Sequence, residues 1–473
     1  MNSYKKNFLA IDLGASHGSI IIGIFKRNEL ILQEAYRFTH YIVERSGVKC
    51  WDWDFIENEI RKGLITACEL TGNDKIESIS CSSWAQDFGL LNKKEGLIYK
   101  PVSYRDDRTK DLPFKFSDII RPLELFKRNG SAISQVTTLC QLYSMVQNEP
   151  EYLSEADKFL FIADLVHNSL SGEMVTDWTF ASASQMLDLK TRKWDIDLIE
   201  KLGIPLRLLP EVIDNPRVIG NVIYSDIHPK LAGIPIIAGA GHDTALASSI
   251  IFPMHEKTVF ISLGTWAMIG CCDDQINTNQ IADLSITKLG VAWNKLGLFC
   301  SSVGLWLIQE CVKIWINKGT HVTYKELAER AFNSHINSII PPNDERFFSP
   351  EDMIEEILNY CHETDQVAPE YPEDFAKVIF DSLVLEFRNL IEKLKNVTGI
   401  RFEKIQVVGG GSKNKYICSK MAEFIGIPVI AGPAEATAIG NNILQARVLN
   451  LLENEAEANE VVNRSFPVLT YKT

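Results

Sequence analysis

The sequence lacks the cysteine patterns of a disulfide-stapled or zinc-binding protein. Its 10 cysteines are scattered over 473 residues, no CxxC pair occurs, and no Cys/His spacing typical of a metal site is present. Cys271 and Cys272 are adjacent, and neighbouring cysteines rarely pair with each other. These features exclude a small disulfide-built secreted domain and predict reduced thiols.

Long apolar runs and an excess of basic residues are also missing. The runs at 19–25 (SIIIGIF) and 233–241 (GIPIIAGAG) are far shorter than the roughly 20 residues that span a bilayer. The 48 Lys+Arg against 61 Asp+Glu give a formal charge of −13, whereas a nucleic-acid-binding protein needs a basic face. We therefore expect no membrane partner, no nucleic-acid partner and a cytoplasmic location.

Strand-like and helix-like segments alternate along the chain, which is typical of an α/β fold. Residues 8–14 (FLAIDLG) and 19–25 are β-rich runs joined by a short turn of small residues, which predicts a hairpin. Apolar residues at every third or fourth position predict helices over 324–332 and 374–395. Further strands that end in glycine or serine are predicted at 75–83, 233–239, 258–264, 404–411 and 426–432.

Three pairs of short matches occur in the same order in both halves of the chain. The segments 233–245 (GIPIIAGAGHDTA) and 426–438 (GIPVIAGPAEATA) share their GIP, IAG and TA positions. The other pairs are FLAIDLGAS with VFISLGTW, and KIESISCSS with KIQVVGGGS. This order predicts an internal duplication, with the domain boundary between Ala245 and Lys257.

No P-loop motif is present, so a nucleotide would need another phosphate-binding device. The two hairpins at 10–19 and 262–267 each carry a glycine beside a hydroxyl residue, Gly14 with Ser16 and Gly264 with Thr265. Such turns can present backbone N–H groups to phosphate. Two ordinary β-turns are the alternative interpretation, but the matching places in the repeat favour phosphate binding.

Asp12 follows Ile11 at the end of a strand that we expect to be buried. A carboxylate in that position needs a partner. A hydrated Mg²⁺ that bridges ATP phosphates fits, because Mg²⁺ keeps several waters and takes one or two carboxylates. The alternative is a structural aspartate in a capped turn.

Asp243 is the most specific signal in the sequence. In the second copy of the repeat Ala436 takes its place, while Thr244 and Ala245 are retained as Thr437 and Ala438. The second copy therefore lacks the ionisable group but keeps the two residues after it. This difference favours a chemical task for Asp243, namely a general base for a hydroxyl that attacks a phosphoryl group. A plain helix N-cap is the alternative. His242 could either bind substrate or only satisfy the turn.

Two further segments suggest contacts with small molecules. Gly410, Gly411 and Asn414 follow a strand, and a glycine run there can lie flat against adenosine. The segments WAQD (84–87) and YRDDR (104–108) mix aromatic and polar groups, as a sugar site requires. A solvated charged loop is the alternative interpretation of Arg105–Arg108.

With these residues assembled, the chain resembles the FGGY carbohydrate kinases of the actin/hexokinase/Hsp70 superfamily. The resemblance runs from about Phe8 to about Phe466. Within the family, WDWD (51–54), GLWLIQ (304–309) and PNDERF (342–347) are most similar to members that phosphorylate L-rhamnulose. Other supporting motifs are AIDLGASHGS, DFGLL, YRDDRT, GHDTA, SLGTW, VVGGGSKN and AGPAEATAIGN.

The resemblance implies two ribonuclease H-like α/β lobes from an internal duplication, with a cleft between them. The N-terminal lobe (1–247) would bind sugar and the C-terminal lobe (248–473) nucleotide, in a monomer or homodimer. The implied reaction transfers the γ-phosphoryl group of ATP, with Mg²⁺ near Asp12, to the C1 hydroxyl of L-rhamnulose. By similarity Asp243 is the proton acceptor. The implied sugar contacts are Trp84, Ala85, His242, Thr244 and Ser301, and the ATP contacts are Ala15, Ser16, His17, Gly18, Ser19, Thr265, Gln309 and Gly410.

Three positions depart from the family pattern. Ser19 stands where the family usually has arginine, Ala85 where it has glycine, and Ser301 where it has asparagine. An added methyl or a lost hydrogen bond is typically worth about 1–3 kcal/mol, enough to change sugar preference. A kinase of another ketose, such as L-fuculose or xylulose, and a sugar-binding sensor without catalysis are therefore the alternative hypotheses.

Overall fold

The computed structural model describes residues 5–94, 96–116, 118–223, 226–251, 257–272, 285–348 and 350–472. The elements up to the middle of the chain are β1 Lys5–Leu13, β2 His17–Lys26, β3 Glu29–Thr39, β4 Ile42–Arg45, β5 Val48–Trp51, α1 Trp53–Leu70, β6 Ile76–Ser83, β7 Phe88–Asn92, β8 Gly96–Tyr99, α2 Leu112–Phe116, α3 Pro122–Asn129, α4 Thr138–Asn148, α5 Pro150–Glu155, β9 Lys158–Phe161, α6 Ile162–Ser171, β10 Val175–Asp177, α7 Trp178–Ala183, β11 Leu187–Asp188, β12 Lys193–Trp194, α8 Ile196–Lys201, β13 Glu211–Ile213, β14 Arg217–Asn221, β15 Pro235–Ala238 and α9 Asp243–Ser249.

The remaining elements are β16 Thr258–Leu263, β17 Trp266–Cys272, β18 Thr287–Val291, β19 Lys295–Val303, α10 Trp306–Asn317, α11 Tyr324–Arg330, α12 Met353–Glu363, α13 Pro372–Thr398, β20 Lys404–Val408, α14 Lys415–Ile425, β21 Val429–Ala431, α15 Ala436–Val448, α16 Glu455–Ser465 and β22 Leu469–Tyr471. The strands predicted at both hairpins, both Lys-Ile segments and both Gly-Ile-Pro segments are confirmed. The helices predicted over 324–332 and 374–395 are α11 and α13.

The chain folds as two compact units. The first consists of Met1–Met254, Asp274–Gly297 and Thr437–Ser465, and the second of His255–Asp273, Leu298–Ala436 and Phe466–Thr473. The predicted division at residues 247 and 248 treats the halves as contiguous, whereas the first compact unit also takes segments from beyond that point. In particular, almost all of α15 belongs to the first unit.

The two units repeat one sheet pattern. The strand order is β3-β2-β1-β6-β15-β14 in the first sheet, and the last six strands of the seven-stranded second sheet, β18-β19-β17-β16-β20-β21-β22, repeat it. In each, a central strand pairs antiparallel with its hairpin partner and parallel with the Lys-Ile strand. The Gly-Ile-Pro strand then adds in parallel, and an antiparallel strand follows it. This correspondence confirms the duplication inferred from the repeats.

The core of the first unit forms around β1, whose residues from Phe8 to Ile11 are all fully buried. Burial on both faces is the reason why this strand is a continuous apolar run instead of an alternating one. Helix α1 packs against β2 and β3, and α6 packs against β6 and β15. The carboxyl ends of β1, β6 and β15 carry predicted site residues of the first unit, with Asp12 in the end of β1 and Trp84 and Asp243 just after β6 and β15.

Helix α15 contributes buried amide side chains to the first unit. Asn441, Asn442 and Gln445 are fully buried. Gln445 donates through Nε2 to the backbone oxygen of Leu9 at 3.1 Å and accepts at Oε1 from the Ser78 hydroxyl at 2.7 Å. This one side chain therefore ties α15 to both β1 and β6.

The ten cysteines are all free, as the sequence predicted. Of the helices that the structure describes, none has the length and apolarity needed to cross a membrane.

Replacing Gln445 by alanine should lower the free energy of unfolding by about 3 kcal/mol, because it leaves buried polar groups of two strands without their partner. Urea denaturation followed by circular dichroism measures this loss. The matched control is Gln33→Ala, since Gln33 is exposed on β3 and should change stability by less than about 0.5 kcal/mol. Equal effects of the two substitutions would contradict the role of Gln445.

Candidate functional site

Hydrogen bonds at the end of β6 connect the predicted site residues of the first unit. The Ser83 N–H donates to the backbone oxygen of Gly241 at 2.9 Å, and the Trp84 N–H donates to that of Leu13 at 3.1 Å. Because β1, β6 and β15 are parallel neighbours, their carboxyl ends share one sheet edge. Asp12, Trp84 and Asp243 therefore lie at the same edge of this sheet.

The first hairpin is closed by a short turn. The Gly14 N–H donates to the His17 oxygen at 2.8 Å, and the His40 N–H donates to the Ser16 oxygen at 3.2 Å. The imidazole Nε2 of His40 also contacts the Gly14 oxygen at 2.8 Å, which requires the proton on that nitrogen. The turn is thus held in shape by His40, the residue that directly follows β3.

The predicted phosphate-binding residues of this hairpin differ in exposure. Ser16 and His17 are exposed and Ala15 is half-buried, whereas Gly18 and Ser19 are buried. A Cβ at Gly18 would stand 2.2 Å from the Phe38 ring, so this glycine is required for packing. The groups open to a ligand are therefore in the first part of the hairpin.

Ser19, which replaces the family's usual arginine, lies between two charged residues in the sheet. It pairs in register with Asp12 on β1 and with Arg37 on β3. Burial, and after it the charge of Arg37, lowers the pKa of His17. A positive charge is therefore present beside the hairpin although residue 19 is neutral.

Asp12 is a half-buried carboxylate at the end of β1. Its Oδ1 accepts a hydrogen bond from the Ser82 hydroxyl at 2.9 Å. A single carboxylate suits a hydrated Mg²⁺ that is held mainly through nucleotide phosphates. Within the described residues, no group of three or more His, Cys, Asp or Glu side chains could hold a metal ion alone.

Aromatic rings form a wall behind Trp84. The Trp84 ring lies 4.4 Å from that of Trp51 and 5.4 Å from the stacked ring of His40, measured between centroids. Both indole N–H groups donate to Oδ2 of Asp87, at 2.6 Å from Trp51 and 3.0 Å from Trp84. Gln141 donates to Oδ1 at 3.0 Å. These rings, which we call the aromatic wall, are therefore anchored by a buried carboxylate.

Asp87 is fully buried, and this environment changes its acidity. Burial raises the pKa of Asp87 to about 6, and the hydrogen bonds from Trp51, Gln141 and Trp84 oppose that rise only in part. Between Trp84 and Asp87, Gln86 has a φ of +83°, which is unusual for a residue with a side chain. The Thr138 hydroxyl donates to the Gln86 oxygen at 2.8 Å and helps to hold this turn. Ala85, which is half-buried, lies in the same turn.

Asp243 is the first residue of α9, with His242 as the N-cap. Its side chain is one-third exposed. Oδ1 accepts from the Thr244 N–H at 2.5 Å and from the Thr244 hydroxyl at 3.2 Å. Among the described residues, no donor is hydrogen-bonded to Oδ2. The carboxylate is thus held through one oxygen, and the other is available to take a proton.

His242 is buried beside this carboxylate, with its Nε2 at 3.4 Å from Oδ1 of Asp243. Burial lowers the pKa of His242, and the charges of Asp243 and Asp177 raise it by less. The imidazole is therefore neutral at pH 7 and does not form a strong ion pair with Asp243.

The segment 104–108 approaches the same region through Tyr104. Burial raises the pKa of Tyr104, Arg105 lowers it by less, and the charges of Asp87 and Asp243 add a smaller rise. Arg108 donates to the Tyr99 hydroxyl and to Oε1 of Gln141, both at 2.7 Å. The solvated-loop interpretation is therefore wrong for Arg108, which is packed behind the aromatic wall.

The second unit contains a cavity of about 470 Å³ at the end of β20. It brings together Gln309, Gly410, Gly411 and Asn414, which the sequence predicted as nucleotide contacts. Sequence reasoning missed the remaining lining residues, which are Leu305, Ile308, Tyr324, Lys325, Ala328, Glu329, Phe380, Lys413 and Lys415. Apolar walls beside lysines and glycine backbone fit the base and phosphates of a nucleotide.

The second hairpin adjoins this cavity through Thr265, whose hydroxyl donates to Oε1 of Gln309 at 3.0 Å. Gly264 accepts at its backbone oxygen from the Leu305 N–H at 2.8 Å, and the Gly304 N–H donates to the Thr265 oxygen at 3.0 Å. A Cβ at Gly304 would lie 2.5 Å from the Gly264 oxygen. This close approach explains the glycine that begins the GLWLIQ motif.

Ser301 is exposed on β19 and does not line the cavity. Its neighbour Ser302 contacts Asn343 of the PNDERF motif, whose Oδ1 also accepts from the Val303 N–H at 2.8 Å. The structure therefore places Ser301 apart from the four residues that share the cavity, and its role as a sugar contact stays a prediction.

Comparison with known proteins gives consistent matches over the whole chain. Residues 7–249 match the N-terminal domain of the FGGY family of carbohydrate kinases, and residues 259–449 match its C-terminal domain. A rhamnulokinase from Oceanobacillus iheyensis is 34% identical over 465 residues, which is 98% of this chain and 97% of that protein. A rhamnulokinase from Bacteroides thetaiotaomicron is 33% identical over 472 residues, covering 99% and 96% respectively.

Solved structures share the fold. A xylulose kinase from Lactobacillus acidophilus superposes with a TM-score of 0.79 at 16% identity, covering 99% of this chain and 94% of that one. A glycerol kinase from Plasmodium falciparum with ADP gives the same TM-score, identity and coverage. These similarities confirm the predicted two-domain α/β fold.

The buried Asp87 should make stability depend on pH. Its folded pKa of about 6 lies above the usual value of 3.8, so the folded state binds this proton more tightly than the unfolded state does. The resulting stabilisation is complete below about pH 4 and is lost as pH rises through about 6, by up to about 3 kcal/mol.

Asp87→Asn cannot titrate, so the free energy of unfolding of this variant relative to the wild type should rise between pH 4 and pH 7. Urea denaturation of both proteins across this range measures the difference. The control is Gln33→Ala, at an exposed position without a titratable group, whose difference from the wild type should stay flat. A flat difference for Asp87→Asn as well would contradict the raised pKa.

Proposed function

The chain belongs to the FGGY family of carbohydrate kinases, and we propose that it transfers the γ-phosphoryl group of ATP to the C1 hydroxyl of L-rhamnulose. The product would be L-rhamnulose 1-phosphate. The observation that carries this choice of sugar is the 32–34% identity, over nearly the full chain, to relatives named rhamnulokinase. The geometry around Asp243 supports the chemistry.

In this proposal Asp243 is the general base. Thr244 orients Oδ1, and Oδ2 accepts the proton from the sugar hydroxyl as the oxygen attacks phosphorus. The neutral, buried His242 beside it leaves the negative charge of the carboxylate uncompensated, which keeps the base reactive. His242 and Thr244 also provide polar groups for the sugar, and Trp84 with Ala85 provides the adjacent wall.

The nucleotide would be bound by the cavity of the second unit, through Gln309, Gly410, Gly411 and Asn414. The hairpins at Ala15–Ser19 and Gly264–Thr265 would donate backbone N–H and hydroxyl groups to its phosphates. Mg²⁺ fits beside Asp12, where it would neutralise phosphate charge when bound. A carboxylate supported by one serine hydroxyl can serve as such a ligand without a preformed cage.

A second candidate function is phosphorylation of another ketose, such as L-fuculose or xylulose. Ala85 favours this second function. The turn at Gln86, with its positive φ, fixes the backbone of Ala85, so the methyl that Ala85 adds relative to glycine cannot easily move aside. A sugar-binding sensor without catalysis would instead bind a ketose and form no ADP. An assay that couples ADP formation to a panel of ketoses with MgATP separates these functions, and equal background rates on every sugar would contradict all kinase assignments.

Removing the base should abolish turnover and leave the protein folded. For Asp243→Asn we expect kcat to fall by about 10³-fold, because the amide cannot accept the hydroxyl proton. The dissociation constant for ATP, measured by calorimetry, should change by less than about threefold, since the substitution removes no nucleotide contact. Asp74→Asn, at an exposed position, is the matched control and should keep full activity. Near-normal turnover of Asp243→Asn would rule out this role.

The methyl of Ala85 should influence which ketose is preferred. Ala85→Gly restores space at the turn, so kcat/KM for L-rhamnulose relative to xylulose should rise by about tenfold. Ala67→Gly, at a buried position in α1, is a control for a general effect of removing a methyl from this unit. An unchanged ratio of kcat/KM values would show that residue 85 does not contribute to sugar selection.

A further inference from the structure

Two buried side chains outside the predicted site hold the turn that carries Asp243. Asp177, at the end of β10, is only 1% exposed, and its Oδ2 accepts the N–H of Gly241 at 2.7 Å. Thr179, which is fully buried, accepts the N–H of His242 at its hydroxyl oxygen at 3.2 Å. We call these two residues the Asp177–Thr179 brace. They bind consecutive amides immediately before Asp243.

The Asp177 carboxylate determines which groups of the brace donate hydrogen bonds and which accept them. An ionised aspartate only accepts hydrogen bonds, so the Thr179 hydroxyl must donate to Oδ1, at 2.5 Å. That leaves a lone pair of the hydroxyl oxygen for the His242 N–H. Oδ1 also accepts the Thr179 N–H at 2.8 Å and so caps α7. Both oxygens of Asp177 thus accept hydrogen bonds, Oδ1 from Thr179 and Oδ2 from Gly241.

The turn is also fixed from its other side. Gly241 donates to Asp177 and accepts from the Ser83 N–H, so both of its backbone polar groups are held. A Cβ at this position would stand 2.3 Å from the Phe180 ring, which leaves the backbone no space to shift. Since Asp243 follows two residues later, these contacts determine the direction of its side chain.

Helix capping alone does not account for this arrangement. A cap of α7 needs only the hydrogen bonds that Oδ1 of Asp177 accepts. Its Oδ2 accepts instead from the N–H of Gly241, which is 64 residues away in the sequence. Burying a carboxylate is costly, and here each of its bonds either begins α7 or fixes residues 241 and 242.

We propose that Asp177 and Thr179 are positioning residues for Asp243, which orient its carboxylate toward the sugar hydroxyl through the backbone of Gly241 and His242. This inference rests on the proposed function, since it assigns the orientation of the base in that reaction. Neither residue touches the reacting atoms.

The first test is Asp177→Asn. The amide has one acceptor oxygen, so it can keep the cap of α7 or the bond from Gly241, but not both. We expect kcat to fall by about 10–100-fold, since a small misplacement of a catalytic group has effects of this size. KM for ATP should change by less than about twofold, because the nucleotide contacts lie elsewhere.

The matched control is Asp195→Asn. Asp195 is also buried, caps α8 through the Leu198 N–H and has no contact with the Gly241 turn. This variant should lose stability, as a lost cap does, and keep kcat within about twofold of the wild type. An equal fall of kcat in both variants at equal loss of stability would show that Asp177 has a structural role only.

The second test uses Thr179 and does not remove the buried charge. Thr179→Ser keeps the hydroxyl and should retain nearly full kcat, whereas the isosteric Thr179→Val should lower kcat by about tenfold. Amide hydrogen exchange at Gly241 and His242 should be faster in Thr179→Val and Asp177→Asn than in the wild type. If Asp177→Asn fails to fold, the Thr179 pair decides the question.

The outcomes separate this inference from the proposed function. A wild-type chain that phosphorylates no ketose would overturn both. An active wild type whose folded Asp177→Asn or Thr179→Val variant is equally active would overturn the positioning role alone. Loss of kcat in Thr179→Val with rescue by serine would support it.

Discussion

The end of strand β6 is the constraint on which the site of the first unit depends. Of two consecutive amides, Ser83 donates to Gly241 in the turn that follows β15, and Trp84 donates to Leu13, the last residue of β1. Parallel pairing puts the three strand ends at one edge, and these bonds join the loops beyond that edge. The Asp12 carboxylate, the aromatic wall and the proposed base therefore occupy one region although they are distant in sequence.

The environment of each ionisable group in this region differs in a way that suits phosphoryl transfer. Asp87 is fully buried among indoles, which raises its pKa and makes it an anchor for the aromatic wall. Asp243 is partly exposed and has one oxygen without a donor among the described residues. His242 is kept neutral by burial. Two aspartates of the same unit thus have different environments, because one is fully desolvated and the other is partly exposed.

The duplicated fold gives the two units related sheets and different chemistry. After β15 the chain begins α9 with Asp243, and after β21 the equivalent position at the start of α15 is Ala436. The second unit instead has a cavity at the end of β20, lined by Gly410 and Gly411. Helix α15 provides another difference, because its buried amides bind β1 and β6 of the first unit. The repeat therefore preserved the strand order while the two sites diverged.

The sequence by itself determined the α/β class, the duplication, most strands and the family, because periodicity and short motifs are local features. It also indicated Asp243, since Ala436 takes its place in the second copy while the following Thr-Ala pair is retained. Tertiary structure decided which residues meet. The Asp-x-Thr spacing at 177–179 predicts no more than a helix cap, and the bond to Gly241 joins positions 64 residues apart. The environment of Asp87, the walls of the cavity at the end of β20 and the assignment of α15 to the first unit were likewise hidden, because burial and long-range hydrogen bonds arise only when distant segments pack together.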